Sequence, residues 1–216
     1  MGWLKHIAPF INLRCGEEHE DNMLTFHNDP KIAAKFVQRA KLHRMQDDFL
    51  QDYGYWKPDS SGKMRGCNIG CLAHNNENAH KVLLQEAGIP LSISFIADIL
   101  FEGLSKNRFK DFPVEFMEAC KTATGKDLSL VHWKFLHWVQ LENLKHAEDN
   151  RFPADVIAAI RQCIDVLVPL TKGMEVDKAA RSEDAARSAD AAAYAAYAAD
   201  AAADAVRSAA YAARSA

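Results

Sequence analysis

A chain of 216 residues with 26 Lys and Arg against 29 Asp and Glu carries a formal charge of −3, so no global field recruits nucleic acid or an anionic membrane. Its five cysteines, Cys15, Cys67, Cys71, Cys120 and Cys163, are odd in number and scattered through helical segments. They read as reduced cytoplasmic thiols rather than a disulfide framework. The opening MGWLKHIAPFINL holds Lys5 and His6 within its apolar part, a poor signal peptide, and no run approaches the roughly 18 apolar residues of a membrane helix.

Residues 1–23 read as an irregular lead-in of mixed charge, followed by an all-α helical domain over 24–170 and an Ala-rich helix over 175–216. The first helix opens at Asn28-Asp29-Pro30, where Asp29 suits the N-cap and Pro30 the first helical position. Ile32, Phe36 and Ala40, then Leu42, Met45 and Phe49, recur at three and four, which predicts one apolar face to about residue 52. The stretch QDYGYWKPDSSGKMRG is a loop, rich in Gly, Pro and Ser. A short helix is predicted near Cys67, another over 77–87 closed by Gly88, then one from Pro90 to about Gly103 and one from Asp111 to about Thr122.

Residues 129–146 are apolar nearly all round, which places Trp133, Phe135, Trp138 and Leu141 in the middle of a bundle. Pro153 opens the last helix of the domain, with Val156, Ile160, Cys163 and Leu167 on its apolar face and Pro169 closing it. No segment alternates with period two for long enough to predict a strand.

From Glu175 onward Ala dominates and nothing breaks a helix, so a rod of about 40 residues and about 60 Å is expected. Asp190, Tyr197, Asp204 and Tyr211 are seven apart, as are Arg187 and Tyr194. A seven-residue repeat keeps one stripe toward a partner helix, and Ala faces let two backbones approach closely. Tyr194, Tyr197 and Tyr211 are therefore candidate binding residues of a self-association surface; a solvated spacer helix is the blander alternative.

The densest chemistry is GCNIGCLAHNNENAH. Continued as one helix, it puts Cys67, Cys71 and His74 at i, i+4 and i+7 on one face. Such a face can hold part of a metal site or present a nucleophilic thiol beside a base. Cys67 also follows a Gly-containing loop, where a helix N-terminus lowers a thiol pKa, so Cys67 is expected to react faster than Cys120 and Cys163. Cysteines of this kind equally pack as small core residues.

Asp98 and Glu102 lie four apart in line with Ser94, a carboxylate pair or simply a solvent face, and His43 with Asp47 has the same spacing. Lys31, Lys35, Arg39 and His43 make a basic stripe that can meet phosphates or an acidic protein, or be solvated. No motif names a reaction or a cofactor.

The blocks FHNDPKI, GC-x2-GC-x2-H, EAGIP and D-x-x-FEGL, followed by AARSA and AAYAA units, resemble uncharacterised bacterial and phage helical proteins carrying similar blocks in the same order. The resemblance covers about residues 24–216. It implies a prokaryotic or phage origin, with immunity or anti-defence roles by association, and supplies no catalytic residue.

Two readings follow. The first is a non-catalytic protein that binds another protein and self-associates through its Ala-rich helix. The second is a small enzyme built on Cys67, with His74 or a distant His as base and Asp98 or Asp47 orienting it.

Overall fold

Asp29 and Pro30 open helix α1, Pro30–Gln46, in a computed structural model that describes residues 23–174. The Asp29 carboxylate accepts the Lys31 amide at 2.7 Å, satisfying a donor that the first helical turn cannot. The lead-in and the Ala-rich tail, with Tyr194, Tyr197 and Tyr211, lie outside the described residues.

Helix α1 ends earlier than its apolar period predicts. Asp47 takes a left-handed conformation with φ of 58°, which turns the chain back so that the Asp48 amide donates to the His43 carbonyl. The loop that follows carries a two-residue antiparallel ladder, β1 at Lys57–Pro58 and β2 at Met64–Arg65. Five further helices are α2, Asn68–Ala73; α3, Ala79–Ala87; α4, Leu91–Gly103; α5, Phe112–Thr122; and α6, Val131–Asp149. The seventh, α7, is Ala154–Leu170, with Pro169 inside its last turn rather than beyond it. Gly88 closes α3 at φ of 60°, as its lack of a Cβ permits. The described residues are thus all-α apart from that short ladder.

These residues divide into two compact units, one ending at His132 and one beginning at Trp133. In the first unit α1 packs on α5, and α2 packs on α1, α3 and α4. All six residues of α2 are buried, so the segment buried all round at the core is NIGCLA. Phe26, Phe36, Phe49, Phe101, Leu83, Ile89 and Met117 complete that core.

The expectation for the 129–146 segment is corrected. In α6 only Ala147 is buried, while Trp138 and Leu141 are 55 % and 43 % exposed and Trp133 and Phe135 are half-buried. Its charged and polar positions, Lys134, Glu142, Lys145 and Glu148, interrupt the apolar surface enough to keep much of the helix in water. An Arg161–Glu148 ion pair at 2.7 Å joins α7 to α6 within the second unit. No helix among the described residues is long and apolar enough to cross a membrane.

Candidate functional site

The core helix α2 has a polar cluster at each end, and one loop lies along it. Gly66 and Gly70 make that contact possible: a Cβ on Gly66 would fall 1.5 Å from the Tyr55 carbonyl oxygen, and one on Gly70 2.3 Å from the Tyr55 carbonyl carbon. The glycines of GC-x2-GC therefore let backbone pack on backbone, and Tyr55 and Trp56 reach from the loop to opposite clusters.

At the C-terminal end, His74 leaves α2 in a left-handed conformation, φ 52°. Its Nε2 lies 2.7 Å from Nε2 of His43, whose Nδ1 is 2.8 Å from Asp48 Oδ2. Asp48 and His43 are 2 % and 3 % exposed, whereas His74 reaches the surface. Lys63 Nζ meets the other Asp48 oxygen at 2.8 Å.

The hydrogen bonds assign the tautomers. A carboxylate only accepts, so His43 donates from Nδ1. In the arrangement where His74 donates, His43 accepts at Nε2, and His74 Nδ1 keeps its lone pair. Trp56 stacks on the His74 ring at 4.9 Å and 17°, holding its plane. Burial, with the Arg39 charge adding to it, lowers the His74 pKa to about 4, so this imidazole is neutral near pH 7.

At the N-terminal end, Cys67 caps α2, its Sγ accepting the Gly70 amide at 3.5 Å. Cys67 Sγ and carboxylate oxygens of Asp98 and Glu102 all lie within 4.8 Å of one another. His80, in the first turn of α3, completes the group: its Nδ1 is 2.8 Å from Ser94 Oγ, and its Nε2 is 3.1 Å from the Tyr55 hydroxyl and 3.7 Å from Asp98 Oδ2. Burial pushes the Cys67 thiol well up, and Asp98 pushes it further. Burial likewise raises Glu102 to about 7, against the Asp52 amide it accepts, and lowers His80 to about 4.

The proposed helical face of Cys67, Cys71 and His74 does not close around a ligand. The helix ends at Ala73, so His74 turns away to His43, and the buried Cys71 thiol donates to the Gly66 carbonyl at 3.4 Å. Among the described residues the group able to hold a metal is instead Cys67, Asp98 and Glu102. The set Cys67, His74 and Asp98 is likewise divided: Cys67 and Asp98 share one cluster, and the histidine beside them is His80.

Burial opposes the reactivity expected of Cys67. The helix-end position is there, but Cys67 is 2 % exposed and faces a carboxylate, which outweighs one N–H donor. Ser94, Asp98 and Glu102 do not form a solvent face, since Ser94 is fully buried and the carboxylates line the cluster.

His43 pairs with Asp48 rather than Asp47, which instead meets Lys110. The basic stripe is largely committed. Lys35 pairs with Glu86, Arg39 donates to the Leu72 carbonyl at 2.5 Å and lies against Phe36, and His43 is buried; Lys31 is exposed.

Sequence reasoning missed Asp48, Tyr55, Trp56 and His80. A spacing of five separates His43 from Asp48, which no continuous helix brings together; the left-handed Asp47 does. His80 stands in the same GCNIGCLAHNNENAH segment as Cys67 and His74, so its place in a histidine-rich run was the available signal.

A comparison with known proteins finds no match: no family model, curated protein or solved structure is similar to the chain.

Proposed function

We propose that the chain is a small acid–base enzyme in which His74 takes a proton from water or a substrate hydroxyl. The observation that carries this reading is the continuous chain Asp48–His43–His74, with links of 2.8 and 2.7 Å, running from a buried carboxylate to a surface imidazole. Its logic is that of a base oriented by a third group. When His74 Nδ1 takes a proton, its Nε2 proton passes to His43 Nε2, and the positive charge comes to rest on His43 against Asp48. A weakly basic His74 is thus no obstacle, because the buried pair behind it holds the charge.

The test uses p-nitrophenyl acetate as a probe substrate. The expected rate is about tenfold or more slower in His74→Ala and in Asp48→Asn. His146→Ala, an exposed histidine of the second unit, leaves it unchanged. A rate indifferent to His74→Ala or to Asp48→Asn overturns the reading.

A second reading, a protein that acts by binding another protein and self-associates, is favoured by the exposure of Trp138 and Leu141 on α6. It predicts that the intact chain sediments as a complex and that Trp138→Lys dissociates it. A monomer in both cases removes this support.

A further inference from the structure

We propose that Cys67, His80, Asp98 and Glu102 form a binding site for a divalent transition-metal ion of the zinc class. Three separate elements deliver the donors to one place: the N-cap of α2 supplies the thiol, two consecutive turns of α4 supply the carboxylates, and the first turn of α3 supplies the imidazole. The thiol sulfur and the two carboxylate oxygens already lie within 4.8 Å of one another. Ligand atoms on a tetrahedral ion with bonds of about 2.0–2.3 Å stand roughly 3.3–3.8 Å apart. Side-chain rotations of about an ångström therefore bring these three atoms to ligand spacing, with no change in the helices.

His80 is the observation that separates this cluster from an ordinary acidic patch. Ser94 Oγ has one hydrogen, which it donates to the Leu91 carbonyl at 2.9 Å, so toward His80 Nδ1 at 2.8 Å it accepts. In that arrangement Nδ1 carries the ring proton, and Nε2 accepts the Tyr55 hydroxyl at 3.1 Å while facing Asp98 Oδ2 at 3.7 Å. A neutral imidazole with one nitrogen tied to a buried acceptor and the other presented to a carboxylate has the outer hydrogen bond that metal-ligating histidines carry.

Glu102 has no cationic partner among the described residues; it accepts the Asp52 amide at 2.8 Å. A thiolate, an imidazole and carboxylates together suit zinc or its analogues, whereas magnesium and calcium take oxygen donors. Because α2 is wholly core, an ion here would tie α2, α3 and α4 together.

The site is independent of the acid–base relay at the other end of α2, and its test reads metal rather than turnover. The purified full chain is titrated with Co²⁺ under reducing conditions. The expected result is one equivalent bound, with a near-ultraviolet thiolate-to-cobalt charge-transfer band that Zn²⁺ displaces.

The band is lost in Cys67→Ser and kept in Cys71→Ser, Cys120→Ser and Cys163→Ser. Glu102→Gln and His80→Gln weaken cobalt binding about tenfold or more. Glu102 is partly exposed, so Glu102→Gln keeps the test valid should Cys67→Ser fail to fold. No band in the intact protein, a band that persists in Cys67→Ser, or an unchanged affinity in Glu102→Gln overturns the proposal.

Discussion

Replacing Gly70 with Ala sets two opposed effects against each other in one methyl group. Within a helix, Ala is better than Gly by about 1 kcal/mol, and α2 is a helix whose position 70 has no left-handed requirement. Propensity alone thus predicts stabilisation. Tertiary contact predicts the reverse. The new Cβ would stand 2.3 Å from the Tyr55 carbonyl carbon and 2.5 Å from its Cα, about 1.2 Å inside the roughly 3.5 Å at which carbon atoms meet.

The atoms in the way are backbone, so the 55–56 loop must move as a body. Overpacking of this kind costs about 1–3 kcal/mol. The movement also weakens the Tyr55–His80 hydrogen bond and the Trp56–His74 stack, about 1 kcal/mol each. The net expectation is a loss of about 2–4 kcal/mol, which lowers the urea midpoint by about 1–2 M at an m-value of about 2 kcal/mol/M. Gly62→Ala is the comparison: nothing lies within 4 Å of its Cβ, but φ is +83°, so only the cost of a left-handed residue, about 1–2 kcal/mol, applies. A Gly70→Ala protein as stable as the wild type, or more so, refutes the argument that loop-on-helix contact dictates this glycine.

Among Cys67, Cys71, Cys120 and Cys163, native alkylation at neutral pH is expected to modify Cys163 first, since it alone is not buried; adduct mapping that finds Cys67 first would contradict the burial argument. Asn68 is fully buried and neither of its side-chain polar atoms has a hydrogen-bond partner among the described residues. Asn68→Leu should therefore raise stability by about 1 kcal/mol, and a clear loss would mean that the amide has a partner in solution. Stability should fall as pH drops from about 6.5 toward 4, because His74 and His80, at about 4 when folded, take up protons on unfolding. Glu102, at about 7 when folded, opposes them between about pH 4.5 and 7, so Glu102→Gln should steepen the loss; thermal melts across the range measure both effects, and a stability independent of pH would contradict them.

The helices were largely legible because their signals are local. Asp29-Pro30, Gly88, Pro90 and Pro153 mark boundaries through φ restrictions and capping that hold whatever surrounds them. Apolar periodicity placed Phe36 and Ala40 correctly on the buried side of α1, but also Leu42 and Met45, which are 47 % and 82 % exposed. It failed for α6 because periodicity says which side chains avoid water but not whether a partner is present to cover them: Trp138 and Leu141 look the same in sequence whether covered or exposed.

The sequence by itself determined the fold class, most helix ends and the loop between α1 and α2. It also singled out Cys67, His74 and Asp98 as residues with chemistry to offer. Only the tertiary structure decided their company. One left-handed residue at Asp47 brought Asp48 to His43, and another at His74 took that imidazole off the helical path. The packing of α2 against α3 and α4 set Cys67 beside Asp98, Glu102 and, through them, His80. A left-handed residue reverses the chain within a few ångströms and helix packing joins residues more than thirty positions apart, and neither leaves a period in the sequence to read.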